Sequence, residues 1–126
     1  MTTGRRILIV EDDPGLRETL TEVLADDGHE VRVAEHGEAA LGIIQGWTPE
    51  LIVLDLMMPE MDGYAFRNAQ RELPGSDATK VLLLSAAPAV AAAADELETD
   101  AFLVKPFGLY DVLNAIDDLL GEAPAT

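Results

Sequence analysis

The chain alternates short apolar runs with longer amphipathic stretches, and this alternation restricts the fold more than any other feature of the sequence. The runs are rich in valine, isoleucine and leucine, and each is too short for a helix, which is typical of strands buried on both faces of a sheet. They cover residues 7–10, 51–54, 81–84 and 102–104. Val31 and Val33 alternate with polar neighbours and predict a fifth, half-buried strand.

The amphipathic stretches between these runs predict five helices. The first begins at Pro14 with Asp13 as its N-cap, and Gly28 marks its end. The other four cover residues 37–45, 64–72, 88–97 and 109–120. Strict alternation of strand and helix implies a parallel sheet with helices on both faces. The predicted fold is therefore α/β: a flavodoxin-like (βα)5 doubly wound five-stranded parallel sheet.

Size and charge exclude several classes of function. The 126 residues suffice for one domain, and 8 basic against 24 acidic residues give a net charge of −16. Such a chain has no general basic surface for nucleic acid or for an anionic membrane. The sequence has no cysteine, no signal-peptide layout and no apolar stretch near the ~20 residues of a membrane span. We expect a cytoplasmic protein that binds neither nucleic acid nor membranes.

Polar side chains follow four of the predicted strands at the point where each strand ends. Glu11 and Asp12 follow the first, Asp55 the third, Ser85 the fourth and Lys105 the last. Because the carboxyl ends of parallel strands meet at one edge of the sheet, where open α/β sheets bind ligands, these five side chains should converge.

The chemistry of the converging set indicates a metal and a phosphoryl group. Three carboxylates held together repel one another unless a cation joins them, and oxygen ligands favour Mg²⁺. A carboxylate beside such a metal can act as a nucleophile in phosphoryl transfer and form an aspartyl-phosphate. A hydroxyl and an ammonium group would serve the remaining phosphoryl oxygens.

Four motifs in this order resemble the receiver domain of bacterial two-component response regulators. They are ILIVEDDP at residues 7–14, LIVLDLMMPEMDG at 51–63, Ser85-Ala86, and FLVKPF at 102–107. The resemblance extends over about residues 5 to 121, nearly the whole chain. It implies a receiver domain over residues 1–121 followed by a short tail at 122–126.

The resemblance assigns a role to each residue at the edge of the sheet. Asp55 would be the phospho-acceptor. Asp12, Asp55 and the backbone carbonyl of Met57 would hold Mg²⁺, for which Mn²⁺ is an alternative, and Glu11 would act directly or through water. Ser85 would hydrogen-bond the phosphoryl group and change position on phosphorylation.

The last motif carries three further expectations. Lys105 would form an ion pair with the phosphoryl group, and its peptide bond to Pro106 would be cis. Phe102 matches an aromatic switch position whose ring turns inward when Ser85 moves. A plain core role for Phe102 is the alternative.

The implied function is a phosphorylation-dependent switch in a two-component or phosphorelay system. A histidine kinase or phosphotransfer protein would donate the phosphoryl group, and the downstream partner would be a protein. The domain would have no metabolic substrate of its own and is not expected to be an enzyme. We expect a monomer or a weak phosphorylation-dependent dimer, and we favour a stand-alone receiver over one excised from a longer chain.

Two other functions stay open. One is a receiver-like binding module that works without phosphorylation. The other is a small aspartyl-phosphate phosphatase, which is disfavoured because the Asp-x-Asp signature of such enzymes would need an aspartate where Met57 stands.

The sequence also departs from the family pattern. The interval from Ser85 to Lys105 is short for the family, and Glu98-Thr99 replaces the usual Gly-Ala, so the fourth helix should be short or displaced and the most mobile of the five. The resemblance implies that the residues two after Asp55 and two after Ser85 tune the lifetime of the phosphoryl group. Here they are Met57 and Ala87, which are apolar and cannot orient an attacking water, so we expect a phosphoryl group that survives for minutes or longer. His29 and His36 are expected at the surface.

Overall fold

The computed structural model describes residues 4–56, 62–86 and 90–121, and these form one five-stranded parallel sheet. The strands are β1 Arg6–Val10, β2 Glu30–Ala34, β3 Leu51–Asp55, β4 Lys80–Ser85 and β5 Ala101–Val104. Their order across the sheet is β2-β1-β3-β4-β5, so β3 lies in the middle and β2 and β5 are the edges. This order is the flavodoxin-like one, and the predicted fold is confirmed.

Four helices connect the strands, and a fifth follows β5. They are α1 Pro14–Asp26, α2 Gly37–Ile44, α3 Gly63–Arg71, α4 Val90–Glu96 and α5 Leu109–Leu120. Asp13 caps α1 as predicted, because its Oδ1 accepts hydrogen bonds from the backbone N–H groups of Gly15 (3.0 Å) and Leu16 (3.5 Å). A short 3₁₀ turn at Ser76–Ala78 was not predicted, and α4 is short, with seven residues. Within the described residues, no helix is both long enough and apolar enough to span a bilayer.

Both faces of the sheet are buried, because successive strand residues point to opposite sides. Ile7 and Ile9 belong to the core beneath α1 and α5, whereas Leu8 and Val10 belong to the core beneath α2, α3 and α4. All four are fully buried, as the apolar run predicts. The edge strand β2 is more open, and Val33 is 40% exposed.

The edge where the strands begin, which we call the amino edge, is organised around Trp47. The indole Nε1 donates a 3.0 Å hydrogen bond to Glu30, and the guanidinium groups of Arg6 and Arg32 lie 5.8 and 4.7 Å from the ring centre. The ring is only 5% exposed. Trp47 therefore fastens β1 and β2 to the segment before β3, at the edge opposite the strand ends.

His29 lies at the same amino edge, and its predicted surface position is wrong. Its side chain is fully buried, with Nδ1 3.4 Å from the backbone N of Arg5 and Nε2 3.7 Å from Asp27. Nε2 makes no hydrogen bond with the described residues. The turn after Gly28 folds beneath the amino-terminal segment, where the Gly4 backbone N–H donates to the Gly28 carbonyl (2.9 Å), and this long-range contact covers the ring. His36 is half-buried, and its Nδ1 caps α2 by accepting from the Ala39 N–H.

A buried arginine joins α3 to the end of α4. Arg67 donates hydrogen bonds to the backbone carbonyls of Leu97 (3.0 Å) and Glu98 (2.9 Å) and to the side chain of Gln70. These carbonyls follow α4, where helix carbonyls lack partners in the helix and attract positive charge. Glu98 has the left-handed backbone angle φ 53°, which is uncommon for a residue with a side chain. The arginine therefore completes an unusual helix end.

Candidate functional site

Three carboxylates meet at the edge where the strands end, which we call the carboxyl edge. Glu11 and Asp12 directly follow β1, and Asp55 is the last residue of the neighbouring β3. One oxygen from each side chain lies within 4.8 Å of the others. Glu11 and Asp55 are buried, with exposures of 0% and 3%, whereas Asp12 is exposed. The cluster therefore has two buried carboxylates and one that faces solvent.

Lys105 brings the balancing positive charge from the end of β5. Its Nζ donates a 2.8 Å hydrogen bond to Glu11 Oε1 and lies 3.6 Å from Asp55 Oδ1. The backbone N–H of Lys105 donates to the Ser85 carbonyl (2.8 Å), and the following bond to Pro106 is cis. Burial by itself lowers the pKa of the ammonium group, but the hydrogen bond with Glu11 and the charges of Glu11 and Asp55 outweigh it and raise that pKa.

Asp55 is electrostatically the most perturbed group of the site. Burial first, and then the hydrogen bond and charge of Glu11, raise the pKa of Asp55 to about 8, although the Lys105 charge opposes them. One lysine therefore does not compensate the two buried carboxylates. Without a further cation, Asp55 holds a proton near neutral pH.

The chemistry of the donor set fits Mg²⁺, which prefers oxygen ligands and is usually held by one or two carboxylates. Both oxygens of Glu11 already accept hydrogen bonds, Oε1 from Lys105 (2.8 Å) and Oε2 from the Asp12 backbone N–H (3.1 Å). This leaves the carboxylates of Asp12 and Asp55 best placed to bind a cation. The carbonyl of Met57 falls outside the described residues.

The amino end of α3 lies directly against the end of β3, the strand that carries Asp55. Asp62 caps this helix by accepting from the Ala65 N–H (2.9 Å), and Gly63 donates its N–H to the Leu56 carbonyl (2.9 Å). A Cβ on Gly63 would lie 2.7 Å from Leu56 Cα and 2.9 Å from the Asp55 carbonyl oxygen. Only glycine allows this close approach, so Gly63 fixes how α3 meets the site.

Ser85 and Phe102, the two residues predicted to change conformation, lie on β4 and β5. Ser85 is fully buried at the end of β4, which pairs with β3 on one side and β5 on the other. Phe102 lies on β5 opposite Leu83 and is 41% exposed, so its ring faces outward in this structure. A plain core role for Phe102 is therefore excluded in this conformation.

Comparisons with known proteins agree with this geometry. The sequence model described as the response regulator receiver domain matches residues 7–117. This chain belongs to the response regulator receiver domain family. The response regulator MprA of Mycolicibacterium vanbaalenii is 36% identical over 117 residues, which are 91% of this chain and 50% of MprA. The receiver therefore spans about half the length of the curated relative.

Solved structures of response regulators have the same fold. The chemotaxis response regulator CheY4 of Vibrio cholerae superposes with a TM-score of 0.86 at 28% identity, covering 93% of this receiver and 99% of CheY4. TrrA of Thermotoga maritima, solved in complex with Mg²⁺-BeF, gives a TM-score of 0.80 at 31% identity, covering 91% and 98% of the two chains.

Sequence reasoning missed two residues that hold the site together. The Asp62-Gly63 pair is by itself typical of a loop, although a glycine directly after a helix cap also indicates a close backbone approach. Arg17 on α1 donates from Nη1 to the carbonyl of Glu11 (2.9 Å). The signal in the sequence was that Arg17 is the fourth residue of a helix that starts beside the acidic pair, one helical turn from it.

Proposed function

We propose that this receiver accepts a phosphoryl group on Asp55, in a reaction that depends on Mg²⁺ or Mn²⁺, and thereby regulates protein partners. The observation that supports this most is the cluster of three carboxylates within 4.8 Å, with Lys105 3.6 Å from Asp55. The metal ligands would be Asp12, Asp55 and the Met57 carbonyl, with Glu11 acting through water. When bound, the cation would neutralise charge on the ligand oxygens and the phosphoryl group.

In the proposed transfer, one carboxylate oxygen of Asp55 attacks the phosphorus of a phosphohistidine on the donor. The new P–O bond forms as the P–N bond breaks, and the electron pair stays on the imidazole nitrogen, which takes up a proton. Lys105 would face a phosphoryl oxygen, because its ammonium group already lies beside the attacking carboxylate. The donor is a histidine kinase or a phosphotransfer protein.

Phosphorylation would change the balance between two conformations of the domain. The Ser85 hydroxyl would move to the phosphoryl group from the end of β4. Phe102, whose ring faces outward in the structure described above, would turn inward. We place the protein in the cytoplasm, without nucleic-acid or membrane contacts through this domain, as a monomer or a weak phosphorylation-dependent dimer.

The test uses acetyl phosphate or phosphoramidate with Mg²⁺ and measures the intact mass of the protein. We expect the wild-type chain to gain one phosphoryl group and Asp55→Asn to gain none. Asp13→Asn is the matched control, because this exposed cap lies close to the site and asparagine caps helices as well as aspartate does. It should label like the wild-type chain. Persistent labelling of Asp55→Asn at residue 55 contradicts the proposal.

The same experiment separates the two alternative functions. A receiver that works without phosphorylation would remain unlabelled in the wild-type form. A small phosphatase would turn over its phosphorylated form rapidly, whereas the apolar Met57 and Ala87, both outside the described residues, favour a phosphoryl group that lasts for minutes or longer. Loss of the label within seconds in Mg²⁺ would contradict this expectation. The domain is proposed to act on no metabolic substrate.

A further inference from the structure

The peptide unit between Glu11 and Asp12 is held at both of its polar ends. Its N–H, on Asp12, donates to Glu11 Oε2 (3.1 Å), and its carbonyl, on Glu11, accepts from Arg17 Nη1 (2.9 Å). Because a peptide unit is planar, holding both ends fixes its rotation about the chain. The rotation of this unit sets the direction in which the exposed Asp12 leaves β1.

Arg17 itself is held by the helix that carries it. Its backbone N–H donates to the Asp13 carbonyl (2.9 Å), and its carbonyl accepts from the Thr21 hydroxyl (2.7 Å). The side chain is half-buried, so water competes only partly for its guanidinium group. On the other side, the Glu11 backbone N–H donates to Ala34 of β2 (3.1 Å). Arg17 therefore joins the hydrogen-bonded first turn of α1 to the hydrogen-bonded end of β1, across the turn that bears Asp12.

We propose that Arg17 is a positioning residue for the cation site: through the Glu11 carbonyl it orients the turn that presents Asp12 beside Asp55. This inference rests on the proposed Mg²⁺ site. Groups that orient metal ligands typically change metal affinity by 10- to 100-fold when they are removed. Arg17 acts here on the ligand's backbone and does not touch the metal.

Because Arg17 is charged, the direction in which its removal changes the Mg²⁺ affinity tests the proposal. A cation near three carboxylates opposes the binding of a second cation, so removing the Arg17 charge should tighten Mg²⁺ binding if electrostatics alone mattered. Removing an orienting hydrogen bond should weaken it. The two roles therefore predict opposite outcomes for Arg17→Met.

The experiment measures the Mg²⁺ dissociation constant by calorimetry and by the NMR shift of the Asp12 amide. We expect Arg17→Met to weaken binding about 10-fold. Arg17→Lys keeps the charge and a hydrogen-bond donor group. Its Mg²⁺ affinity should lie between those of Arg17→Met and the wild-type chain. Lys80→Met removes the same charge at the amino edge, far from the site, and should bind Mg²⁺ like the wild-type chain. Thermal unfolding in EDTA shows that each variant is folded.

Binding by Arg17→Met that equals or exceeds that of the wild-type chain overturns the inference. If Arg17→Met does not fold, Arg17→Lys decides: unchanged affinity and an unchanged Asp12 resonance overturn the inference, and weakened binding supports it. A wild-type chain that binds no Mg²⁺ contradicts the proposed function instead. The two failures are therefore distinguishable.

Discussion

The two edges of the sheet use the same kinds of charged residue in opposite ways. At the amino edge opposite charges meet: Arg5 lies 2.8 Å from Glu50, and Lys80 lies 3.9 Å from Asp100. At the carboxyl edge like charges collect, and the ammonium group of Lys105 faces a cluster of three carboxylates. Paired charges balance one another, whereas an unbalanced cluster of carboxylates either takes up a proton or binds a cation.

This difference shows at which edge of the sheet the acidic residues are left without balancing cations. The net charge of −16 belongs to the chain as a whole, but among the residues that the structure describes the buried carboxylates, Glu11 and Asp55, both lie at the carboxyl edge. Substitutions at the amino edge should therefore change folding stability. Substitutions at the carboxyl edge should change how stability responds to pH and to Mg²⁺.

The largest effect is expected from the buried arginine that joins α3 to the end of α4. Arg67→Met leaves the carbonyls of Leu97 and Glu98 without their buried donor and should lower the free energy of unfolding by about 2–4 kcal/mol. Arg71→Met is the matched control, because Arg71 makes a 2.8 Å ion pair with a largely exposed Glu98 carboxylate and should cost at most about 1 kcal/mol. Urea unfolding measures both. A loss for Arg67→Met as small as the one expected for Arg71→Met would show that the Arg67 contacts are dispensable.

The next effect tests the unbalanced edge. The pKa of Asp55 is raised from 3.8 to about 8, so between these values the folded protein holds a proton that the unfolded chain has lost. Stability therefore falls as pH rises through this range and is constant above it. Asp55→Asn cannot ionise, and in EDTA at pH 9 it should exceed the wild-type stability by on the order of 2 kcal/mol, with little difference near pH 4.

Urea unfolding across pH 4–9 in EDTA checks this expectation. Asp13→Asn removes an exposed carboxylate near the site, and its difference from the wild-type chain should stay nearly constant with pH. Adding Mg²⁺ at pH 9 should stabilise the wild-type chain and leave Asp55→Asn nearly unchanged, because binding to the folded state adds to stability. A stability difference between Asp55→Asn and the wild-type chain that does not vary with pH would contradict the raised pKa.

A smaller, opposite pH effect is expected at the amino edge. Burial lowers the pKa of His29, against the charges of Asp27, Asp117 and Glu50, while Arg5 adds to the lowering. Below pH 6.5 the unfolded chain therefore binds a proton that the folded protein resists, so stability is lost as pH falls. His29→Gln should lose less stability than the wild-type chain between pH 7 and pH 5 in thermal unfolding. The same loss in both would refute a buried neutral imidazole.

The smallest effect concerns local opening of α4. This seven-residue helix, rich in alanine, should exchange its amide hydrogens faster than the thirteen-residue α1. Arg67→Met should widen the difference, since it releases the helix end. Hydrogen exchange measured on both helices decides, and equal protection of α1 and α4 in the wild-type chain would contradict the expectation.

Much of the fold and the site could be predicted because both depend on local patterns. The apolar runs give parallel strands, and parallel strands bring their ends together, which is why Glu11, Asp55 and Lys105 meet. The cap of α1 at Asp13 likewise depends on two adjacent residues. The strands and the helix cap follow from short stretches of sequence, and the parallel order of the strands then brings their ends together.

Other features could not be predicted because they depend on contacts between distant segments. His29 is buried by the amino-terminal segment, and Arg67 is buried by the end of α4, thirty residues along the chain. An arginine on a helix is usually exposed, and a histidine is intermediate in burial, so neither residue type indicates burial by itself. The burial of Trp47 likewise depends on contacts with distant residues. Because Trp47 lies at the amino edge, its fluorescence is a poor reporter of the acidic site at the opposite edge.

The position of β3 in the middle of the sheet sets how far a change at Asp55, the proposed phospho-acceptor, is from the edge of the sheet. Neighbouring strands are about 4.8 Å apart, so the outer strand β5 lies only about 10 Å from the strand that carries Asp55. A single strand, β4, separates them. A chemical change on Asp55 therefore needs to displace the backbone of β4 alone to reach β5, the edge strand on that side of the sheet.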